Sequence, residues 1–288
     1  MESQTNHLPG ERNFFVIFCK GISYLNDVML KTVKAMRYVT PLREGGSLPA
    51  VIEADDGQMY VMKFHGAGQG HKALIAEIIA GELARALDLL IPEQVFVHLD
   101  EKLGPSEPDA EIQDLLNASV GLNLGMRFLP NALPFNELID QKPSPKLASE
   151  IVWFDAFVTN VDRTPRNVNM LLHEEQLWLI DHGASLYFHH DWQNHMDRSL
   201  STFPLIKDHV MLEFATQIRV ADSVFKKTIN QPLLEKIVAL IPDNWLIRES
   251  PFSNAAEHRQ AYSDYLSSRI NASENFVNEA ESARDALL

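Results

Sequence analysis

The chain has 288 residues, and at about 150 residues per domain this length predicts two lobes or domains. Hydrophobic residues make up 45% of it and charged residues 22%, as in an ordinary soluble globular protein. The formal net charge of −14 argues against direct nucleic-acid binding, because phosphate contacts need clustered Lys and Arg. The single cysteine, Cys19, can form no internal disulfide and is typical of a reducing cytosol.

The strongest N-terminal apolar run, from Phe14 to Cys19, is too short for a membrane span or a secretion signal. It is closed by Lys20. A spanning helix needs about 20 apolar residues, and the core of a signal peptide needs about 7–15. We therefore expect a soluble, cytoplasmic protein with no membrane partner.

The first half of the chain reads as short strands around one long helix. Residues Asp55-Asp56-Gly57 give a strong hairpin signal, and apolar residues with a 3.6-residue period indicate the helix. The predicted elements, in chain order, are strands at 50–54 and 59–64, a helix at about 71–87, and strands at 94–99 and 120–128.

The second half is predicted to be mainly helical. Ser144-Pro145 is a typical helix start, and Asn254 with Glu257 and Asn271 with Glu274 resemble capping boxes. The predicted elements are a helix at 146–159, a hairpin with strands at 170–172 and 177–180, and helices at about 205–219, 222–229, 231–241, 254–270 and 273–287. The pattern predicts an α+β fold with a ligand cleft between a β-rich lobe and an α-helical lobe.

Four segments are expected along the chain. They are an N-terminal extension at 1–30, a β-rich N-lobe at 31–126, a C-lobe at 127–245 and a C-terminal helical extension at 246–288. The first 28 residues have neither a capped helix nor an alternating strand, and one interpretation is that the start is assigned too far upstream. We expect a chain that begins at Met29 to fold.

Three polar residues around the predicted hairpin suggest phosphoryl-transfer chemistry. Asp162 and Asn167 are separated by five positions, and Asp181 follows about 14 residues later, after the hairpin. Phosphoryl transfer needs one carboxylate near the acceptor hydroxyl, and a carboxylate with an amide oxygen on Mg²⁺. Asp and Asn are also common in turns, so the ordered set is more specific than Asp-x₄-Asn alone.

Upstream, Lys63 lies in a strand that is otherwise suited to burial. A buried lysine normally has an acidic partner, and an edge lysine in solvent is the alternative. Glu77, on or beside the apolar face of the following helix, is the preferred partner, and Glu82 is its rival. A strand Lys paired with a helix Glu, ahead of the Asp/Asn/Asp set, is the kinase order.

These residues resemble the protein-kinase-like fold, and most closely the bacterial HipA-like kinase family, from about Met29 to beyond His190. The resemblance implies a two-lobed fold that uses ATP and Mg²⁺ and transfers the γ-phosphoryl group to a hydroxyl, often of a protein Ser or Thr. The matching motifs are Lys63, Glu77, Asp162-x₄-Asn167, Asp181-His182-Gly183, Arg43-Glu44-Gly45-Gly46-Ser47, Tyr60-Val61-Met62-Lys63-Phe64 and Val152-Trp153-Phe154-Asp155.

The resemblance also implies how ATP is bound. Lys63 would orient the α- and β-phosphates and Glu77 would fix Lys63. Gly45, Gly46 and Ser47 would cover the phosphates. By analogy with the fold, adenine would stack near Phe128-Leu129.

The remaining roles implied by the resemblance concern the transfer itself. Asp162 would position or deprotonate the acceptor hydroxyl, and Asn167 with Asp181 would hold Mg²⁺. The acceptor would be a protein or a small molecule that the sequence does not identify.

Several departures separate the chain from eukaryotic-type protein kinases. Asn160-Val161 replaces the His-Arg pair before the catalytic Asp, and His182 replaces the Phe after the metal-binding Asp. The sequence has no Ala-Pro-Glu element, and no Gly-x-Gly-x-x-Gly lies between the first strands. These departures are compatible with a HipA-like kinase.

Three other interpretations stay open. Gly66, Gly68 and Gly70 between a strand and a helix resemble a dinucleotide-binding turn of an NAD-dependent enzyme, although His71 stands where the third glycine is required. A pseudokinase-type binding module would bind nucleotide without turnover. Five histidines suggest zinc, although loop and packing positions explain them better. They are His182, His189, His190, His195 and His209.

Overall fold

The computed structural model describes residues 29–42, 48–136, 142–248 and 250–287. Within these ranges a β-rich part precedes a mainly helical part, as the sequence predicted. Gly45, Gly46 and Ser47, predicted to cover the phosphates, lie outside the described residues, and so do residues 1–28 of the predicted extension. Among the described residues, no helix has both the length and the apolar character needed to cross a membrane.

Five strands close into a barrel in the order β1-β2-β3-β5-β4. The strands β1 and β4 are parallel, and the other neighbouring pairs (β1-β2, β2-β3, β3-β5 and β4-β5) are antiparallel. Tyr60, Met62, Val95 and Val97 lie in the barrel core, because alternate residues of a strand point to the same face of the sheet. The strands are β1 (Thr32–Pro41), β2 (Ala50–Ala54), β3 (Met59–Lys63), β4 (Gln94–Leu99) and β5 (Gly121–Arg127).

The predicted long helix is α1 (His71–Ala86), and it joins β3 to β4. Its apolar residues belong to the core of the helical part rather than to that of the barrel. A shorter helix, α2 (Ala110–Ala118), precedes β5 and is capped by the Asp109 side chain. The helix α1 therefore connects the last residue of β3, Lys63, to the helical core.

The helical part begins with α3 (Pro145–Val158), and its predicted start is confirmed. The Ser144 side chain accepts a hydrogen bond from the backbone N–H of Leu147 at 3.2 Å, and Pro145 is the first helical residue. The predicted hairpin is also present and gains a short third strand. The strands of this sheet are β6 (Leu133–Pro134), β7 (Met170–His173) and β8 (Gln176–Leu179).

Six further helices complete the described chain, and three residues of α3, α5 and α9 form an aromatic cluster at their centre. The Trp153 ring centroid lies 5.0 Å from that of Phe225 and 5.5 Å from that of Phe276. Such edge-to-face contacts stabilise helix packing beyond the apolar area that they bury. The helices are α4 (His195–Ser199), α5 (Ile218–Thr228), α6 (Gln231–Ala239), α7 (Asp243–Ile247), α8 (Ala255–Asn271) and α9 (Glu274–Asp285).

The helix predicted at 205–219 is wrong. The segment forms two short 3₁₀ turns, Pro204–Asp208 and Leu212–Phe214. Between them the backbone N–H of Val210 donates to the Arg163 carbonyl at 3.2 Å, and that of Met211 donates to the His209 ring at 3.0 Å. These donors are therefore not available for a continuous helix.

One of the two predicted capping boxes is confirmed. The Asn254 side chain accepts from the backbone N–H of Glu257 at 2.9 Å, and Glu257 accepts from the backbone N–H of Ser253 at 3.1 Å. The box predicted at Asn271 is wrong, because Asn271 is the last residue of α8. The helix α9 begins at Glu274, and no side chain caps it.

Candidate active site

Lys63, at the end of β3, lies between two carboxylates. Its ammonium group donates to Glu77 Oε1 of α1 and to Asp181 Oδ1 at 2.6 Å. Lys63 is 8% exposed and Glu77 is fully buried, whereas the Asp181 side chain is 42% exposed. The structure therefore brings together three predicted site residues that lie far apart in sequence, and it leaves the Asp181 side chain accessible to solvent.

Burial and neighbouring charges shift the pKa values of this cluster in opposite directions. Burial by itself lowers the pKa of Lys63, but the two carboxylates outweigh it and keep the lysine charged. The Lys63 charge lowers the pKa of Asp181 to about 2. Burial raises the pKa of Glu77, and Lys63 opposes that shift. Lys63 is thus the group that favours the ionised form of both acids.

Glu77, and not its rival Glu82, is the partner of Lys63. Glu82 lies one turn further along α1 and is hydrogen-bonded to Arg85 at 3.3 Å. The turn after Asp181 packs directly against α1, since a Cβ at Gly183 would lie 3.4 Å from Glu77 Oε1 and 3.5 Å from the Ala73 Cβ. A residue as small as glycine at position 183 therefore allows this turn to approach α1 closely.

His182 is fully buried beside this cluster. Its Nδ1 lies 3.9 Å from Glu77 Oε2, and neither ring nitrogen has a hydrogen-bond partner among the described residues. Burial, helped by the nearby Arg163 charge, lowers the pKa of His182 to about 3. The imidazole is therefore neutral and packs its edge toward the Phe154 ring.

Asp162 and Asn167 lie side by side in the loop between α3 and β7. The Asn167 amide donates to Asp162 Oδ2 at 2.8 Å. The backbone of Asp162 is held at both ends, because its N–H donates to Asn160 Oδ1 at 3.1 Å and its carbonyl accepts from Asn169 at 3.1 Å. The loop thus presents a carboxylate on a fixed backbone, with an exposed amide beside it.

A buried polar network under this loop was missed by the sequence analysis. Asp155, on α3, accepts from Asn160 at 3.0 Å, from Arg163 Nε at 2.5 Å and from His209 Nε2 at 2.9 Å. Burial opposes the charge of Asp155, but Arg163 and then His209 hold the pKa of its carboxyl well below the usual range. An acidic residue inside the apolar run Ile151–Val158 was the signal that could have revealed it.

Arg163 also connects the loop to the hairpin that ends at Asp181. Its Nη1 donates to the Asn169 carbonyl, and the backbone N–H of Ile180 donates to the same carbonyl at 3.1 Å. Asn167 and Asp181 therefore flank one junction, where Asn169 and Ile180 meet. Amide and carboxylate oxygens are ligands that Mg²⁺ accepts.

The structure does not favour the dinucleotide-binding or the zinc interpretation. The strand before Gly66 is β3, and its neighbours β2 and β5 are both antiparallel to it, whereas a dinucleotide-binding unit needs parallel strands. Among the described residues, no three His, Cys, Asp or Glu side chains are grouped so that they could hold a metal ion. His189 instead contacts the Tyr262 hydroxyl at 3.0 Å, and His195 contacts the Trp192 carbonyl at 2.9 Å.

Similarity to solved structures is remote. The crystal structure of the Golgi casein kinase with Mn/ADP bound is 12% identical and gives a TM-score of 0.43, with 92% of this chain and 76% of that chain covered. A second crystal structure of the Golgi casein kinase is 14% identical, with a TM-score of 0.42 and coverages of 90% and 74%. No curated protein sequence matches the chain.

A family model gives the decisive comparison. The model described as HipA-like kinase matches residues 36–278, which include most of the barrel, α1 and the loop with Asp162 and Asn167. The match confirms the resemblance predicted from the sequence, and with it the α+β, two-lobed protein-kinase-like fold. The chain therefore belongs to the HipA-like kinase family of phosphotransferases.

Proposed function

We propose that the protein is an ATP- and Mg²⁺-dependent kinase that transfers the γ-phosphoryl group to a hydroxyl, with a protein Ser or Thr as the preferred acceptor class. The observation that carries this proposal is the position of Lys63 between Glu77 and Asp181. A buried ammonium that bridges a helix carboxylate and a partly exposed carboxylate is suited to phosphate oxygens near a metal ion.

The accessible residues of the candidate site fit magnesium. Asp181 supplies a carboxylate that stays ionised, because its pKa is lowered to about 2. Asn167 supplies an exposed amide. Mg²⁺ is usually held by one or two carboxylates together with phosphates and water, so these two ligands suffice. When bound, the ion would supply charge neutralisation at the phosphates.

The remaining roles in phosphate binding and proton transfer fall to residues of the chain itself. Lys63 would bind the α- and β-phosphates, and Glu77 would hold the Lys63 ammonium in place. Asp162 would orient the acceptor hydroxyl and accept its proton at Oδ1 or Oδ2, while Asn160 and Asn169 fix its backbone. Gly45, Gly46 and Ser47 are proposed to cover the phosphates, and Phe128-Leu129 to contact adenine.

Two isosteric variants test this division. Asp181→Asn removes the carboxylate that would hold Mg²⁺, so we expect it to abolish both turnover and the Mg²⁺-dependent part of the thermal shift caused by ATP. Asp162→Asn leaves nucleotide binding intact, because the acceptor is absent from the binary complex. We expect it to lower phosphoryl transfer by about 10²–10⁴-fold. Transfer of ³²P from labelled ATP measures turnover.

A matched control is Asp197→Asn, on an exposed face of α4, which we expect to behave like the wild type. Exchanged phenotypes of the two variants would show that the roles are reversed. Binding of Mg·ATP by the wild type without γ-phosphate loss would favour the pseudokinase-type module. Stabilisation by NAD, with none by ATP, would contradict the proposal.

A further inference from the structure

Lys63 and Glu77, the two members of the buried ion pair, belong to different parts of the fold. Lys63 ends β3 of the barrel, whereas the neighbours of Glu77 on α1 pack in the core of the helical part. A shift of α1 relative to the barrel would therefore separate the two charges. Because desolvation offsets much of the attraction between buried charges, the pair does not by itself fix the helix. A further contact near Glu77 is needed to hold α1 against the barrel.

Gln94, the first residue of β4, makes such a contact. Its side-chain Nε2 donates to the backbone carbonyl of Glu77 at 2.7 Å. Val95 and Val97 point into the barrel core, so strand alternation places Gln94 on the outer face of β4, toward α1. Gln94 is 2% exposed, and its Oε1 has no partner among the described residues. The hydrogen bond that this buried side chain makes within the described chain is therefore directed at α1.

Gly81 gives the Gln94 amide room beside α1. A Cβ at Gly81 would lie 2.5 Å from both Nε2 and Oε1 of that amide, which is too close for any van der Waals contact. In a regular α-helix the Gly81 N–H donates to the same Glu77 carbonyl, so the amide lies over this turn. Glycine inside a helix is destabilising relative to alanine. Its presence here is therefore explained by the space that Gln94 occupies.

We propose that Gln94 is a positioning residue that holds Glu77 beside Lys63. The hydrogen bond fixes the backbone of α1 at the residue that carries the carboxylate, and contact with Gly81 sets the distance between α1 and β4. The expected effect on ATP rests on the proposed function, in which Lys63 binds the phosphates. The expected effect on the ion pair does not.

The coupling between Lys63 and Glu77 tests the proposal without nucleotide. It is measured as the non-additivity of the shifts in urea midpoint caused by Lys63→Met, Glu77→Gln and the double variant. Gln94→Met keeps the length of the side chain but loses the donor, and we expect it to reduce this non-additivity to about half or less. The matched control, Gln113→Met, breaks a bond from another glutamine to a backbone carbonyl, that of Gly104, and should leave the coupling unchanged.

The affinity for Mg·ATP gives a second measurement. Loss of the hydrogen bond to Glu77 should weaken ATP binding by Gln94→Met about tenfold, whereas Gln113→Met should bind ATP like the wild type. In a Glu77→Gln background Gln94→Met should have no further effect, because Gln94 acts through Glu77. Calorimetric titration with a non-hydrolysable ATP analogue measures these affinities. A further loss in the Glu77→Gln background would contradict the proposal.

Gly81→Ala provides a second variant if Gln94→Met does not fold, because the added Cβ displaces the Gln94 amide. We expect it to reduce the Lys63–Glu77 coupling in the same way. An unchanged coupling in the Gln94 and Gly81 variants, or an equal reduction in Gln113→Met, overturns the proposal. A reduced coupling with normal ATP affinity, or with no ATP binding by the wild type, supports the positioning role and contradicts the function proposed for Lys63.

Discussion

At the scale of single residues, the ionisation of Glu77 depends on Lys63. Burial raises the pKa of Glu77, and the neighbouring Lys63 charge acts against that shift. An ion pair buried to this extent is not strong evidence for stability, because desolvation offsets much of the attraction. Loss of one partner is costly, because the other charge stays buried. The pair is therefore better explained by its position beside the accessible Asp181 carboxylate than by a contribution to folding.

Lys63→Met should weaken ATP binding and make the stability of the protein depend on pH. Without Lys63, the raised pKa of Glu77 is unopposed, so the folded state holds a proton that the unfolded chain releases above its pKa near 4.5. The free energy of unfolding should then fall as pH rises above about 4.5. Urea denaturation at several pH values measures this slope.

The double variant Lys63→Met/Glu77→Gln is the control for this prediction. It lacks the titrating carboxyl, so its stability should be nearly flat over the same pH range. A single variant whose stability is also flat would show that Glu77 is not the titrating group. Normal ATP affinity in Lys63→Met would contradict the role proposed for Lys63 at the phosphates.

At the scale of elements, α3 and the loop that follows it form one unit through Asp155. This carboxylate accepts hydrogen bonds from Asn160 and Arg163 of the loop and from His209, which lies 54 residues further along the chain. Asn160 in turn accepts from the backbone N–H of Asp162. Two hydrogen bonds thus connect a residue of the buried helix to the backbone of Asp162, the residue proposed to be catalytic.

Asp155→Asn should destabilise the fold by about 3–5 kcal/mol, because it leaves the buried guanidinium of Arg163 without its counter-charge. Chemical denaturation at pH 7 measures this change. Asp197→Asn, on an exposed part of α4, should stay within about 0.5 kcal/mol of the wild type. Adding Arg163→Met to Asp155→Asn should recover much of the loss. If the losses of stability caused by Asp155→Asn and by Arg163→Met simply add in the double variant, the ion pair is not the cause of the destabilisation.

The elements that were predictable from the sequence are those fixed by local patterns. The 3.6-residue period of the apolar residues predicted α1, and the Ser144-Pro145 helix start predicted α3. The Asp55-Asp56-Gly57 hairpin signal predicted β2 and β3. The helix predicted at 205–219 fails because its backbone N–H groups near Val210 bind to Arg163 and His209. In the site, the order of Lys63, Glu77 and Asp181 was readable, but the contact between Asp155 and His209 joins distant segments, and no local pattern encodes it.

At the scale of the whole molecule, the C-terminal helices are part of the core that supports the candidate site. Phe276 of α9 packs against Trp153 of α3 at 5.5 Å between ring centroids. Arg269 of α8 is buried and donates to the carbonyls of Ala156 at 2.7 Å and Phe157 at 2.8 Å. These carbonyls belong to the last turn of α3, where a helix leaves acceptors without partners and favours a positive charge.

Arg269→Met should therefore destabilise the fold by about 2–4 kcal/mol, since it strands buried carbonyls and removes a charge from the C-terminus of α3. Thermal and urea unfolding measure this loss. The matched control is Arg219→Met, which breaks an exposed ion pair with Glu281 and should cost about 1 kcal/mol or less. Because α3 leads directly into the loop with Asp162, we also expect Arg269→Met to lower turnover in the fraction that stays folded. Equal stabilities of the two variants would mean that Arg269 does not cap α3. The C-terminal helices would then stabilise the fold through apolar packing alone.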